Sequence, residues 1–233
     1  MQDVELDLIR SMLRRAETLH KELGRTYGRD LHNKTISHDA LNLTHEIIEK
    51  CSNALDQAMA LLWQRNIKPH LSKVPTRGGY FPAAKDENGY RSTMGQWGVA
   101  NLAALNPTID AKLRQLQPFA RSENSIYARI KEIAATKHTG LQPQRRYEQQ
   151  SRVNVISGAG QVSWGPGVTF GHGVSVLGVP IDPRTQMPAH TQGIDVTIEH
   201  WVSFHFEKGG EDALGFCQAA IVAARRAIGV MFD

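Results

Sequence analysis

One stretch constrains this chain more than any other. From Ser37 to Arg65, SHDALNLTHEIIEKCSNALDQAMALLWQR, apolar residues recur at three- and four-residue steps with no glycine or proline. That pattern predicts an amphipathic helix of about eight turns, with Ser37 supplying a side-chain oxygen for its N-cap. Leu41, Thr44, Ile48, Cys51, Leu55, Met59 and Leu62 trace its apolar stripe, widened by Ile47, Ala54 and Ala58. Advancing about 100° per residue brings Asn42, His45, Glu49, Ser52, Asn53 and Asp56 onto an adjoining face. That face holds a base, carboxylates and hydrogen-bonding groups, with no lysine or arginine. It suits either a polar pocket or proton-transfer site between helices, or a solvated surface.

The rest of the chain arranges itself around that helix. Residues 3–23 carry Leu8, Ile9, Met12, Leu13, Ala16, Leu19 and Leu23 at helical spacing, with Gly24 as a stop. Residues 24–36 read as a loop or a broken helical turn. From 66 to 91 prolines and glycines punctuate a long connection, draped across the helices by Tyr80, Phe81 and Pro82 or else functional. A short helix is expected over 93–105. Asn106-Pro107 then starts another, and Ser122 caps a further one that ends at Lys137-His138. The polar, basic run 144–152 reads as a linker. Beyond it the texture becomes rich in Gly, Val and Ser, as in short strands joined by turns, with a proline loop at 180–193. Residues 194–206 alternate cleanly as a strand, and a last helix begins near 211.

The expected class is therefore α+β. An antiparallel helical bundle occupies 1–142, and a small antiparallel β-sheet with a closing C-terminal helix occupies 143–233, packed on the bundle as one unit. Hydrophobic content of 41% and charged content of 21% are those of an ordinary globular chain. The acidic, amphipathic start is unlike a secretory signal, and no run reaches the 18 or so apolar residues of a membrane span, so a cytoplasmic protein without a membrane partner is expected. Cys51 and Cys217 fall on the apolar stripes of two different helices and read as buried thiols. Residues 1–150 carry 22 Lys+Arg against 16 Asp+Glu, so an anionic partner such as a nucleic acid would be expected on that part.

Several short motifs carry a resemblance. Leu55-Asp56 lies mid-helix, Phe81-Pro82 in the connection, Asn106-Pro107 to Gln117-Pro118 frames the middle helix, and Lys137-His138 ends the next. Over about residues 35–142 the chain resembles a class of uncharacterised bacterial helical proteins, similar in layout to HEPN-type domains. The resemblance implies a cytosolic binding or interaction module, self-associating or holding a protein partner, in settings such as defence or stress. Some HEPN-type domains are metal-independent RNases with an Arg-x(4–6)-His motif, and others bind nucleotides or partners. Arg14, Arg15, Arg25, Arg65 and Arg184 each have a histidine at that offset. In Arg15–His20 the five-residue step turns the side chains about 140° apart on a helix.

The candidate catalytic residues are His45, Glu49 and His138, the last from a helix expected to pack antiparallel to the long one. An imidazole beside a carboxylate is a general acid/base pair. The candidate binding residues are Asn42 and Asp56 on the long helix, and Arg145, Arg146 and Tyr147, a basic-aromatic cluster able to touch phosphates and stack a base. A small-ligand site beneath the 66–91 connection is a third possibility. His200 reads as a core histidine. No metal-ligand spacing, dinucleotide fingerprint or P-loop occurs, so no cofactor is expected.

Overall fold

The computed structural model describes residues 3–33, 35–71, 73, 75, 79–136, 144–157, 160–164, 168–189 and 195–233. They form α1 (Val4–Asn33), α2 (His38–Asn66), α3 (Glu87–Gln96), α4 (Leu102–Leu105), α5 (Pro107–Gln115), α6 (Ser125–Ala135) and α7 (Ala213–Phe232). The strands are β1 (Gln144–Ser157), β2 (Gly160–Trp164), β3 (Ser175–Val176), β4 (Val179–Asp182), β5 (Met187–Pro188) and β6 (Asp195–Phe206). The class is α+β. Two compact units result, one of residues Met1–Arg145 with Phe204–Asp233, the other of Arg146–Ser203.

In the helical unit α2 is the spine. Ser37 Oγ accepts from the Ala40 amide at 3.2 Å, as a capping serine should. Ile47, Ile48, Cys51, Ala54, Leu55, Ala58 and Met59 are fully buried, packed by α1, α6 and α7. Only Leu41 of the expected stripe is half-buried. Both cysteines are free and buried, and burial raises the Cys51 thiol to about 12.

α1 does not stop at Gly24. Its stripe continues through Leu23, Thr26, Tyr27 and Asp30, all buried, so tertiary contacts outweigh the roughly 1 kcal/mol helix cost of each glycine. At its far end Asp30 accepts from both the amide and the hydroxyl of Ser37 at 2.8 Å, tying the end of α1 to the cap of α2.

The long connection also differs from expectation. Asp86 accepts from the Gly89 amide at 2.7 Å and starts α3, six residues earlier than the 93–105 helix read from the sequence. Phe81 and Pro82 are buried as expected, but Tyr80 is exposed. Asn106 caps α5 through the Ile109 amide at 3.1 Å. Ser122 caps nothing: residues Ser122–Asn124 form a 3-10 turn before α6. α7 follows Asp212, whose carboxylate accepts from Gly215 at 2.6 Å. By length and composition α7 is apolar enough to cross a membrane, but its Ala220, Ile221, Ala224 and Ile228 face lies inside the bundle.

The second unit is built from two three-stranded sheets, ordered β2-β1-β6 and β3-β4-β5. β1 and β2 form a hairpin in which Val153 faces Trp164 and Ser157 faces Gly160. Val153, Val155, Trp164, Val179 and Ile181 form the core of this unit. The basic run 144–152 is thus the first part of a strand rather than a linker, and β4 and β5 occupy part of the expected proline loop.

Surface ion pairs give the bundle an acid-sensitive component. Arg65 holds Asp3 down to about 2, Arg114 lowers Glu87, and Lys208 with Arg129 lowers Glu132. A carboxyl whose folded pKa lies below its unfolded value binds its proton more weakly when folded, so its contribution is complete above the unfolded value and disappears as pH falls through the folded one. Urea melts are expected to show constant stability above the ordinary carboxylate range and a decline towards about 2, where Asp3 protonates. High salt should flatten that decline, because all three carboxylates are at the surface.

Candidate binding site

The polar face of α2 meets α6 over part of its length. Lys131 of α6 pairs with Asp56 and points its Nζ at the Ser52 carbonyl, 3.4 Å away. Asp56 Oδ1 also accepts from the Phe81 amide at 2.9 Å. Tyr127, one turn before Lys131, packs against Phe81 at a tilt, with ring centroids 5.1 Å apart. Rising numbers on α6 therefore follow falling numbers on α2, and the two helices are antiparallel, as expected. Desolvation lowers the Lys131 pKa against the opposing pull of Asp56.

These contacts explain two of the motifs noted in the sequence. Leu55-Asp56 and Phe81-Pro82 meet at the Asp56–Phe81 hydrogen bond. Gln117, fully buried at the end of the Asn106-to-Pro118 segment, accepts from the Ala84 amide at 3.0 Å and donates to the Leu113 carbonyl at 2.9 Å. Both act as staples that hold residues 81–84 on the bundle. His138 and Lys137 lie outside the described residues.

Nearer its start, the same face behaves differently. Asn42 and Asn53 are exposed, which removes them from any enclosed site, and Glu49 is half-buried. His45 is only 7% exposed, and neither ring nitrogen has a hydrogen-bond partner among the described residues. A buried imidazole without partners is costly, since desolvation of one such polar group is worth about 1–3 kcal/mol. One residue away, Thr44 Oγ1 lies 3.3 Å from the Tyr27 hydroxyl, which also donates to Gln144 Oε1. The Gln144 amide nitrogen is likewise buried and has no partner among the described residues. Burial raises the Tyr27 pKa, so this hydroxyl stays protonated. Arg145, Arg146 and Tyr147 follow Gln144 in β1, with side chains outside the described set, as is that of His200. The described part of the connection packs at Asp56 and Ala60, where Gly79 approaches the Ala60 backbone.

A second polar cluster escapes sequence reasoning. The Tyr90 hydroxyl donates to Asp110 Oδ1 at 3.1 Å, and Arg114 Nε donates to Asp110 Oδ2 at 2.5 Å. Arg114 also binds Glu87, and its guanidinium lies 4.9 Å from the centre of the Tyr90 ring. The legible signal was the Asp110–Arg114 spacing of four residues on a helix. Tyr90 comes from α3, which lacked an apolar period, so its place opposite that pair could not be read.

Among the described residues no three His, Cys, Asp or Glu side chains are placed to share a metal ion. No family model, curated protein or solved structure matches the chain.

Proposed function

We propose that this protein is a binding module whose recognition centre is the first half of the polar face of α2, around His45. The observation carrying this reading is the buried imidazole, with neither nitrogen partnered among the described residues. Buried polar groups are nearly always paired, and sequences break that rule mainly where function requires it. A small ligand or partner group that both donates and accepts would satisfy His45 and offset its desolvation. A nuclease has less support: Arg65, one of the arginines spaced for that signature, is held by Asp3 and Glu5.

A thermal-shift screen against nucleotides and polar metabolites, run on the wild type and on His45→Leu, tests the proposal. At about a hundredfold excess over Kd a ligand should stabilise the wild type by about 2.7 kcal/mol and leave the variant unmoved. Equal stabilisation of both proteins, or a flat screen, would contradict it. Incubation with RNA separates the nuclease reading, which requires cleavage that His45→Ala abolishes.

A further inference from the structure

The cleft between α3, α4 and α5 is a second site, independent of His45, and we infer that it takes the carboxylate of a small organic acid. It is a cavity of about 340 Å³ lined by Tyr90, Arg91, Met94, Asn101, Leu102 and Arg114 among others. That volume lies at the lower end of the roughly 300–1,000 Å³ range of small-molecule sites.

Two carboxylates hold the arginines, and one of them, Asp110, lines the cavity with Arg114. Asp110, 5% exposed, accepts from Arg114 Nε and from the Tyr90 hydroxyl, and Glu87 Oε1 accepts from Arg114 Nη1 and from Arg91 Nε at 3.2 Å. Tyr90, 1% exposed, lies under the Arg114 guanidinium. Three edges of the two guanidiniums are thereby occupied. Arg114 Nη2 and both terminal nitrogens of Arg91 make no hydrogen bond among the described residues. The Asn101 side chain, which does not cap α4, adds an uncommitted amide. The Asp110 carboxylate in the lining already accepts from the Tyr90 hydroxyl and Arg114 Nε, so the uncommitted groups of the cavity are mostly donors, suited to an acceptor-only group.

Charge selects within that class. Arg91 and Arg114 are balanced by Glu87 and Asp110, so the cluster attracts an anion through oriented N–H groups rather than through net charge. A singly charged carboxylate matches the Arg91 fork and Arg114 Nη2, whereas a phosphate dianion would meet two fixed carboxylates at close range. Met94, Ala100 and Leu102 supply an apolar wall for a short hydrocarbon body.

Isothermal titration with acetate, succinate and benzoate, and with benzamide as the uncharged match for benzoate, tests the site on the full chain. At least one carboxylate should bind in the millimolar range, and benzoate about tenfold more tightly than benzamide if it is the one that fits. Arg91→Ala, at an exposed side chain, should weaken that binding by about tenfold while leaving the unliganded melting temperature unchanged. Arg114→Gln should abolish binding, but it also loosens α3 from α5, so Arg91→Ala is the deciding variant. His45→Leu should bind the carboxylate as the wild type does, which separates this site from the one on α2. Absence of binding by every carboxylate, equal binding of benzoate and benzamide, or wild-type affinity in Arg91→Ala overturns the inference. Inorganic phosphate binding as tightly on the same arginines overturns the choice of a carboxylate.

Discussion

Tyr127→Ala is expected to lose about 4 kcal/mol of unfolding free energy, the range for removing a large aromatic side chain from a packed core. Tyr127 is fully buried on α6, packs against Phe81 of the connection, and donates from its hydroxyl to the Ala223 carbonyl of α7 at 3.2 Å. Arg226 of α7 donates to the Tyr127 hydroxyl oxygen, also at 3.2 Å. One ring therefore joins α6, α7 and the connection, and truncation leaves a cavity where those elements meet. Tyr127→Phe keeps the ring and gives up the hydroxyl, so its loss should be nearer 1 kcal/mol. Urea denaturation of both variants at equal m-value checks the difference. A near-equal loss would mean that the hydroxyl, not the ring, holds the junction.

Asp56→Ala is the second large effect, with an expected loss of about 3 kcal/mol. The Asp56 and Lys131 side chains are 25% and 24% exposed, and removal of the acid strands Lys131 in a largely desolvated place. It also leaves the Phe81 amide without its acceptor. Asp56→Asn keeps an acceptor for that amide and removes only the charge, so it should fall between alanine and the wild type. The double variant Asp56→Leu with Lys131→Met should recover the part of the loss that comes from the stranded lysine, because a desolvated ion pair contributes little net stability over an apolar pair of similar size, but not the part that comes from the Phe81 amide. A double variant as unstable as the sum of its singles would show that the pair contributes no coupling.

How far the sequence could be read follows from which forces shaped each element. α2 was legible almost residue by residue, because a serine cap, a continuous apolar stripe and the absence of breakers all agree. α1 ran past its expected end because Gly24 and Gly28 are weak breakers wherever Leu23, Tyr27 and Asp30 find partners. α3 was hidden by its composition, since only Tyr90 and Met94 among its ten residues are buried, and the Asp86 cap is the sole strong sign of it. The first part of β1 has no alternation of apolar and polar residues to mark it as a strand.

The candidate face of α2 was partly legible in the same sense. Its residues could be grouped from helical geometry, but not its division. The Asp56 side chain is committed to α6, a fact that depends on the position of Lys131 seventy-five residues away in the chain. Asn42 and Asn53 point to solvent. His45 is left buried without a hydrogen-bond partner among the described residues, and nothing in the local sequence distinguishes it from the asparagines on the same face.

α2 carries two kinds of polar residue, one committed to packing through Lys131 and one, His45, buried with no hydrogen-bond partner among the described residues. Equilibrium denaturation of His45→Leu tests this division most directly. Replacing an unpartnered buried imidazole with an apolar side chain of similar bulk is predicted to stabilise the unliganded protein by about 1 kcal/mol. A loss of stability of that size would contradict the account, because it would mean that His45 contributes favourable contacts to the fold.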